Sequence, residues 1–295
     1  MTASFFLRHL RPVWAIARNT CLEAFRQKVL NLLLLFSLVA IGSANLFTNF
    51  TYDEQLKFLK DFSFGAMTVF GTLIAVMGTA QTVQGEIESR TLQTILIRPV
   101  GRGTFLLGKF AGIALVLAAA FALMTTVFAG VLIGKERSLV AAERASVAPG
   151  HPLDEATAQR IAAIEKQCLD PQLGKALLLT AAKTLFVTGF ALLFATVSTS
   201  TIFTVSTTLL VYLVGHLEGI AREAWTAGGG TWLQKAFLGA VSVAVPDFGS
   251  YGILDDVLAG TAVPWGHVLS LLGYTAVYLL ILLGAARLLF EAREL

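Results

Sequence analysis

Apolar runs long enough to cross a lipid bilayer recur along the whole chain, and no other feature constrains its fold as tightly. The first three are "VLNLLLLFSLVAIGSANLFT" at 29–48, "FGAMTVFGTLIAVMGTAQTV" at 64–83 and "TFLLGKFAGIALVLAAAFALMTTVFAGVLIG" at 104–134. Three more fall at about 176–197, 201–217 and 266–290. A spanning helix needs about 20 apolar residues. Inside hydrocarbon only helices and closed barrels satisfy their own backbone. A barrel would show alternating segments of about 10 residues, and none is present. The chain is 56% hydrophobic and only 14% charged, whereas soluble domains are about a quarter charged. The expectation is an all-α, polytopic membrane protein with six transmembrane helices.

The segments between these runs divide the chain. Residues 1–28 hold five basic residues, Arg8, Arg11, Arg18, Arg26 and Lys28, against the single acid Glu23. Trp14, Ala17, Cys21, Ala24 and Phe25 recur at helical spacing, and Pro12 suits a first helical turn. This pattern predicts an amphipathic helix lying along the membrane interface. Residues 29–134 carry spans 1–3, with a short polar loop holding Asp53, Glu54, Lys57, Lys60 and Asp61. Residues 135–175 form a charged insert with six basic and six acidic residues. Its stretch "HPLDEATAQRIAAIEKQCLD" reads as a small helix capped by Asp154, with Ile161 and Ile164 as its apolar face and Pro171 past its end. Residues 176–295 carry spans 4–6. Lys183 lies inside span 4 and is expected to snorkel outward.

Basic residues cluster in the short segments 1–28 and 84–109, which places both termini and the loop after span 2 in the cytoplasm. On this topology the insert 135–175 is extracytoplasmic. Residues 231–248 admit two readings. A seventh span would move the C-terminus outside. A re-entrant segment before the last span suits its short length, Lys235 and the stop at Pro246-Asp247 better, because non-spanning backbone can dip into the membrane where protein covers it.

Several chemistries find little support. Cys21 and Cys168 are far apart and form no CxxC or Cys/His cluster. The four histidines are scattered, so no metal site is expected. No basic, aromatic-interleaved patch suggests nucleic acid. No nucleophile–base constellation appears, and an intramembrane enzyme would want paired intramembrane acids or a histidine cluster; a secondary transporter would want intramembrane ionisable residues or broken-helix repeats, at which only Lys183 hints. The stretch "GTFLLGKF" at 103–110 nearly makes a phosphate-binding loop, but Phe110 stands where a magnesium-holding hydroxyl is needed. Lys109 is instead expected to anchor at the inner headgroup layer.

The most polar part of the first half is "GEIESRTLQTILIRPVGRGTFLLGK" at 85–109. Gly85 allows a break after span 2, and 86–96 read as a short amphipathic helix. Glu86 and Glu88 fall in its first turn, and Glu86 stands four before Arg90. Pro99 ends it, Gly101 and Gly103 turn the chain, and Thr104 caps span 3. The pattern E-x-E-x-x-T-x-x-x-x-L-x-x-P-V-x-R-x-x-x-L-x-G-K runs through Glu86, Glu88, Thr91, Leu96, Pro99, Val100, Arg102, Leu106, Gly108 and Lys109. It resembles the cytoplasmic loop of ABC type-2 permeases, nearest to those of gliding-motility and nitrous-oxide-reductase-maturation transporters. The basic N-terminal helix, six spans and a hairpin before span 6 extend the likeness over nearly the whole chain. The insert 135–175 departs from it, since many relatives have a short turn there.

The resemblance implies a non-enzymatic membrane subunit in a bacterial inner membrane that moves a cargo. Residues 86–96 would be a coupling helix, with Glu86, Glu88, Arg90, Thr91 and Gln93 at the interface with a separate ATPase subunit. ATP and magnesium would sit on that subunit, with no cofactor bound by this chain. A second permease copy or paralogue would complete the membrane domain. Thr68, Thr72 and Thr79 of span 2 and Thr204, Thr208 and Tyr212 of span 5 would line the translocation path. The same hydroxyls would equally serve helix packing. A competing expectation is a scaffold or mechanotransmitter that couples ATP cycles to an extracytoplasmic protein through 135–175, without cargo.

Overall fold

The computed structural model describes residues 2–46, 52–88, 101–145, 154–168, 170–227, 232–233 and 246–292. Every regular element among them is helical. In chain order they are α1 (Thr2–Arg26), α2 (Lys28–Ser43), α3 (Tyr52–Glu88), α4 (Arg102–Ala145), α5 (Glu155–Cys168), α6 (Gln172–Val197), α7 (Thr201–Ala227), the short α8 (Leu254–Leu258) and α9 (Trp265–Ala292). Among the described residues, five helices are long and apolar enough to cross a membrane. The count reaches six if α1 and α2, bent by 70° at Gln27, are taken as one span.

Helix α6 occupies the centre and packs against α3, α4, α7 and α9. Its buried residues surround it, among them Leu179, Phe186, Val187, Ala191 and Leu192. Hydroxyls survive there because each bonds its own helix. Thr180 donates to the Ala176 carbonyl at 2.8 Å, Thr184 to Thr180 at 2.9 Å and Thr188 to Thr184 at 3.0 Å. Phe186 anchors an aromatic cluster, with ring centroids 5.4 Å from both Phe248 and Tyr278. Such offset and edge-on pairs add about 0.5–1.5 kcal/mol each beyond burial.

The helices overrun the expected spans. The polar loop around Asp53–Asp61 is the first part of α3, a helix of 37 residues. Lys60 explains why it holds: the residue is 6% exposed and its ammonium donates at 2.7 Å to the Gln167 carbonyl at the end of α5. Helix α4 runs 44 residues without a break, so the first part of the insert continues span 3. Ile161, Ile164 and Cys168 of α5 are buried against it. Helix α7 likewise continues past 217 to Ala227.

Pro12 lies inside α1, not in its first turn. A proline there loses one backbone bond, which packing against α4 offsets. That packing is close. A Cβ on Gly108 would stand 2.6 Å from the Ile16 Cβ, and one on Gly112 would stand 2.8 Å from the Ala17 carbonyl oxygen. The Gly108-xxx-Gly112 pair is therefore the seat of α1.

Most of 231–248 lies outside the described residues. Its end returns to α7: the Phe248 amide donates to the Gly215 carbonyl at 2.9 Å. The Pro246 carbonyl oxygen would meet a Cβ on Gly215 at 2.5 Å. Residues 249–251 then make a 3-10 turn in which the Tyr251 hydroxyl reaches Thr275 of α9 at 2.6 Å.

Candidate functional site at the flanks of residues 89–100

Residues 89–100, with Arg90, Thr91 and Gln93, lie outside the described residues; both ends of the segment are in view. Helix α3 does not break at Gly85. It runs through to Glu88, so Glu86 and Glu88 belong to its last turn. Helix α4 begins at Arg102, two residues before the expected cap at Thr104, with the Phe105 amide donating to the Gly101 carbonyl at 3.2 Å.

A buried lysine ties these ends together. Lys109 on α4 is 1% exposed. Its Nζ lies 2.7 Å from Glu86 Oε1, 3.5 Å from Glu23 Oε2 on α1, and donates at 3.1 Å to the Thr82 carbonyl. The Phe105 ring lies 5.8 Å away. Lys109 is thus not a headgroup anchor. Its helix face turns inward, where two carboxylates and a carbonyl replace its hydration. The glycine-rich stretch 103–110 is helical throughout, so its amides are spent in the helix and its lysine on acids. A phosphate cradle needs both free.

Two further clamps hold the same end of the bundle. Gln84 is fully buried, and its amide donates at 3.1 Å both to the Ser198 carbonyl and to Thr204 Oγ1, joining α3 to the α6–α7 turn. Arg102 donates at 2.7 Å and 2.9 Å to the carbonyls of Phe290 and Glu291, capping the last turn of α9. Phe105 stacks on Phe290 with centroids 6.0 Å apart. Residues 89–100 therefore spring from two helix ends bolted to α1, α7 and α9.

The other predicted residues come together between α3, α6 and α7. Thr72, Thr79, Thr204 and Thr208 are buried, while Thr68 and Tyr212 are half-buried. Thr79 and Thr208 bond their own helices, donating at 2.7 Å to the carbonyls of Ala75 and Thr204. In this conformation they lie inside the protomer. Lys183 joins them: it is 5% exposed, with its ammonium 6.0 Å from the Tyr212 ring centre. It does not snorkel outward. In the sequence its only sign was its rarity within a spanning run.

Among the described residues, five or six helices long and apolar enough to cross a membrane support a multi-pass membrane protein. Residues 25–144 match the family described as ABC-2 family transporter protein. Two curated relatives are each named probable ABC transporter permease protein NosY. That of Stutzerimonas stutzeri is 35% identical over 117 residues, 38% of this chain and 42% of the relative. That of Pseudomonas aeruginosa is 35% identical over 114 residues, 37% of this chain and 41% of the relative. The chain thus spans about two fifths of the length of the relatives it matches. The likeness to that family and to these permeases thus lies in residues 25–144, which include the buried lysine and both flanks of 89–100.

Proposed function

We propose that the protein is the membrane-spanning subunit of an ABC transporter in a bacterial inner membrane, with both termini cytoplasmic. It moves a cargo with energy from ATP hydrolysed on a separate ATPase subunit, and a second permease copy or paralogue completes the membrane domain. The observation that carries this is the clamping of both flanks of 89–100. A segment that receives a push from a partner must be rigidly joined to the helices it moves, and here Lys109, Gln84 and Arg102 join its flanks to three of them, α1, α7 and α9. Because Glu86 faces Lys109, the docking surface is Glu88, Arg90, Thr91 and Gln93.

The test is co-purification. Under mild extraction a P-loop ATPase should accompany the native protein. Arg90→Glu with Gln93→Lys should reduce its recovery about tenfold while the spans stay folded. Equal recovery with the native protein and the double variant, or no ATPase at all, sinks the reading.

One observation favours the scaffold alternative. Helix α5, residues 257–262 and the start of α3 line an open cleft of about 900 Å³ with Lys57, Lys60, Lys166, Glu165 and Asp170 on its walls. An extracytoplasmic protein could seat a polar segment there. Reconstituted vesicles separate the two: a scaffold captures a partner through α5 and carries no ATP-dependent flux.

A further inference from the structure

Helices α6 and α7 are antiparallel neighbours joined by the tight turn at 198–200. Lys183 lies 14 residues before the end of α6, and Tyr212 lies 11 residues after the start of α7. At about 1.5 Å per residue both stand roughly 16–21 Å from that turn, near the middle of a hydrocarbon core about 30 Å thick.

Around the Tyr212 ring the structure gathers hydrogen-bond donors. Lys183 Nζ lies 6.0 Å from the ring centre and has no hydrogen-bond or ion-pair partner among the described residues. Thr72 of α3 is 2% exposed, and its hydroxyl has no hydrogen-bond partner. It lies beside the Tyr212 side chain. The His216 ring is 5.7 Å from that of Tyr212. Phe248 covers another side at 5.7 Å. Asp247 is the carboxylate nearby, and it is engaged by the amides of Gly249 and Ser250 and by the Ser250 hydroxyl.

Among the described residues, an ammonium and two hydroxyls from three helices thus meet at mid-membrane, and no carboxylate pairs with the ammonium. An unpaired ammonium in hydrocarbon is costly, and a buried donor without a partner forfeits its solvation. An incoming anion would satisfy all three. We infer that Thr72, Lys183 and Tyr212 form the recognition site for an anionic, oxygen-bearing group of the cargo, such as a carboxylate or a phosphate ester. The inference rests on the permease reading above and supplies its substrate class. Tyr212 and Phe248 suit an apolar or aromatic body behind the anion.

The chain is purified whole in phosphatidylcholine nanodiscs and challenged with acetate, inorganic phosphate and 4-fluorobenzoate, with 4-fluorobenzamide as the neutral control. At least one anion should raise the unfolding midpoint by about 3 °C, and the amide should leave it unchanged. The 4-fluorobenzoate fluorine resonance should broaden with wild type and stay sharp with Lys183→Met. Tyr212→Phe and Thr72→Val should each weaken the anion response about threefold to tenfold, the loss of one hydrogen bond. These variants carry the test if the lysine variant unfolds.

Repeating the titration with phosphatidylglycerol nanodiscs separates the sources: loss of the soluble-anion response there means a lipid phosphate fills the site. The proposal is overturned if no anion acts on wild type, or if wild type and Lys183→Met respond alike. Neither result touches ATPase co-purification, so the permease reading stands or falls separately.

Discussion

Lys109 and Lys183 are both long cations enclosed by helices, 1% and 5% exposed, yet they are held in opposite ways. Lys109 has Glu86, Glu23 and the Thr82 carbonyl around it. Lys183 has a tyrosine ring. Burial alone therefore says little about a lysine's role. The saturated one has no capacity for a ligand and serves as a bolt. The other, with no ion-pair or hydrogen-bond partner among the described residues, holds a cost that a further partner would remove. Their positions match these roles, since Lys109 sits at the flanks of 89–100 and Lys183 near the middle of the spans.

The contrast is open to direct attack, beginning with the largest effect. Lys109→Met leaves Glu86 buried beside an apolar side chain, which should cost about 3–5 kcal/mol. Adding Glu86→Gln should recover more than half of it. Unfolding titrations of the single and double variants measure the coupling, and additive losses would dissolve the bolt. Gly112→Ala drives a methyl into the Ala17 carbonyl and should cost about 1–3 kcal/mol. Faster proteolysis at α1 should accompany it. Arg102→Ala removes two charge-assisted bonds from the end of α9 and should cost about 1.5 kcal/mol. Lys183→Met has the opposite sign: exchanging an unpaired charge for a similar apolar volume should stabilise by about 1 kcal/mol. A marked loss there would mean that Lys183 is already paired, and the contrast would fail. Thr208→Val should fall within about 0.5 kcal/mol, because its hydroxyl only back-bonds to its own helix.

The class and the approximate spans are legible in the apolar runs because a bilayer imposes one length scale on them. What escaped depends on partners distant in the chain. Nothing near Lys109 announces Glu23, and its own helix neighbours suggest a membrane-surface anchor. Gly85 reads as a break because glycine weakens a helix by up to about 1 kcal/mol. The Lys109–Glu86 pair, one residue further on, holds the helix through it. Gly108 and Gly112 look like one of many chance pairs until Ile16 and Thr20 are placed against them. Lys183 is ambiguous in sequence because a snorkelling and an inward lysine occupy the same heptads, and only the position of Tyr212 separates them. The hydroxyls of α3 and α7 were legible as a group, although several prove to satisfy themselves.

The unbroken length of α4 has a mechanical consequence. Its contact with α1 at Gly112, the farther glycine of the pair, lies roughly 15 Å from its start at Arg102 and roughly 50 Å from its end at Ala145, at about 1.5 Å per residue. The helix is a beam resting on an off-centre fulcrum. A tilt of about 10° shifts its near end by roughly 3 Å and its far end, beside α5, by roughly 9 Å. Any rocking started at residues 89–100 is thus magnified about threefold at the opposite face, with the glycine pair setting the ratio.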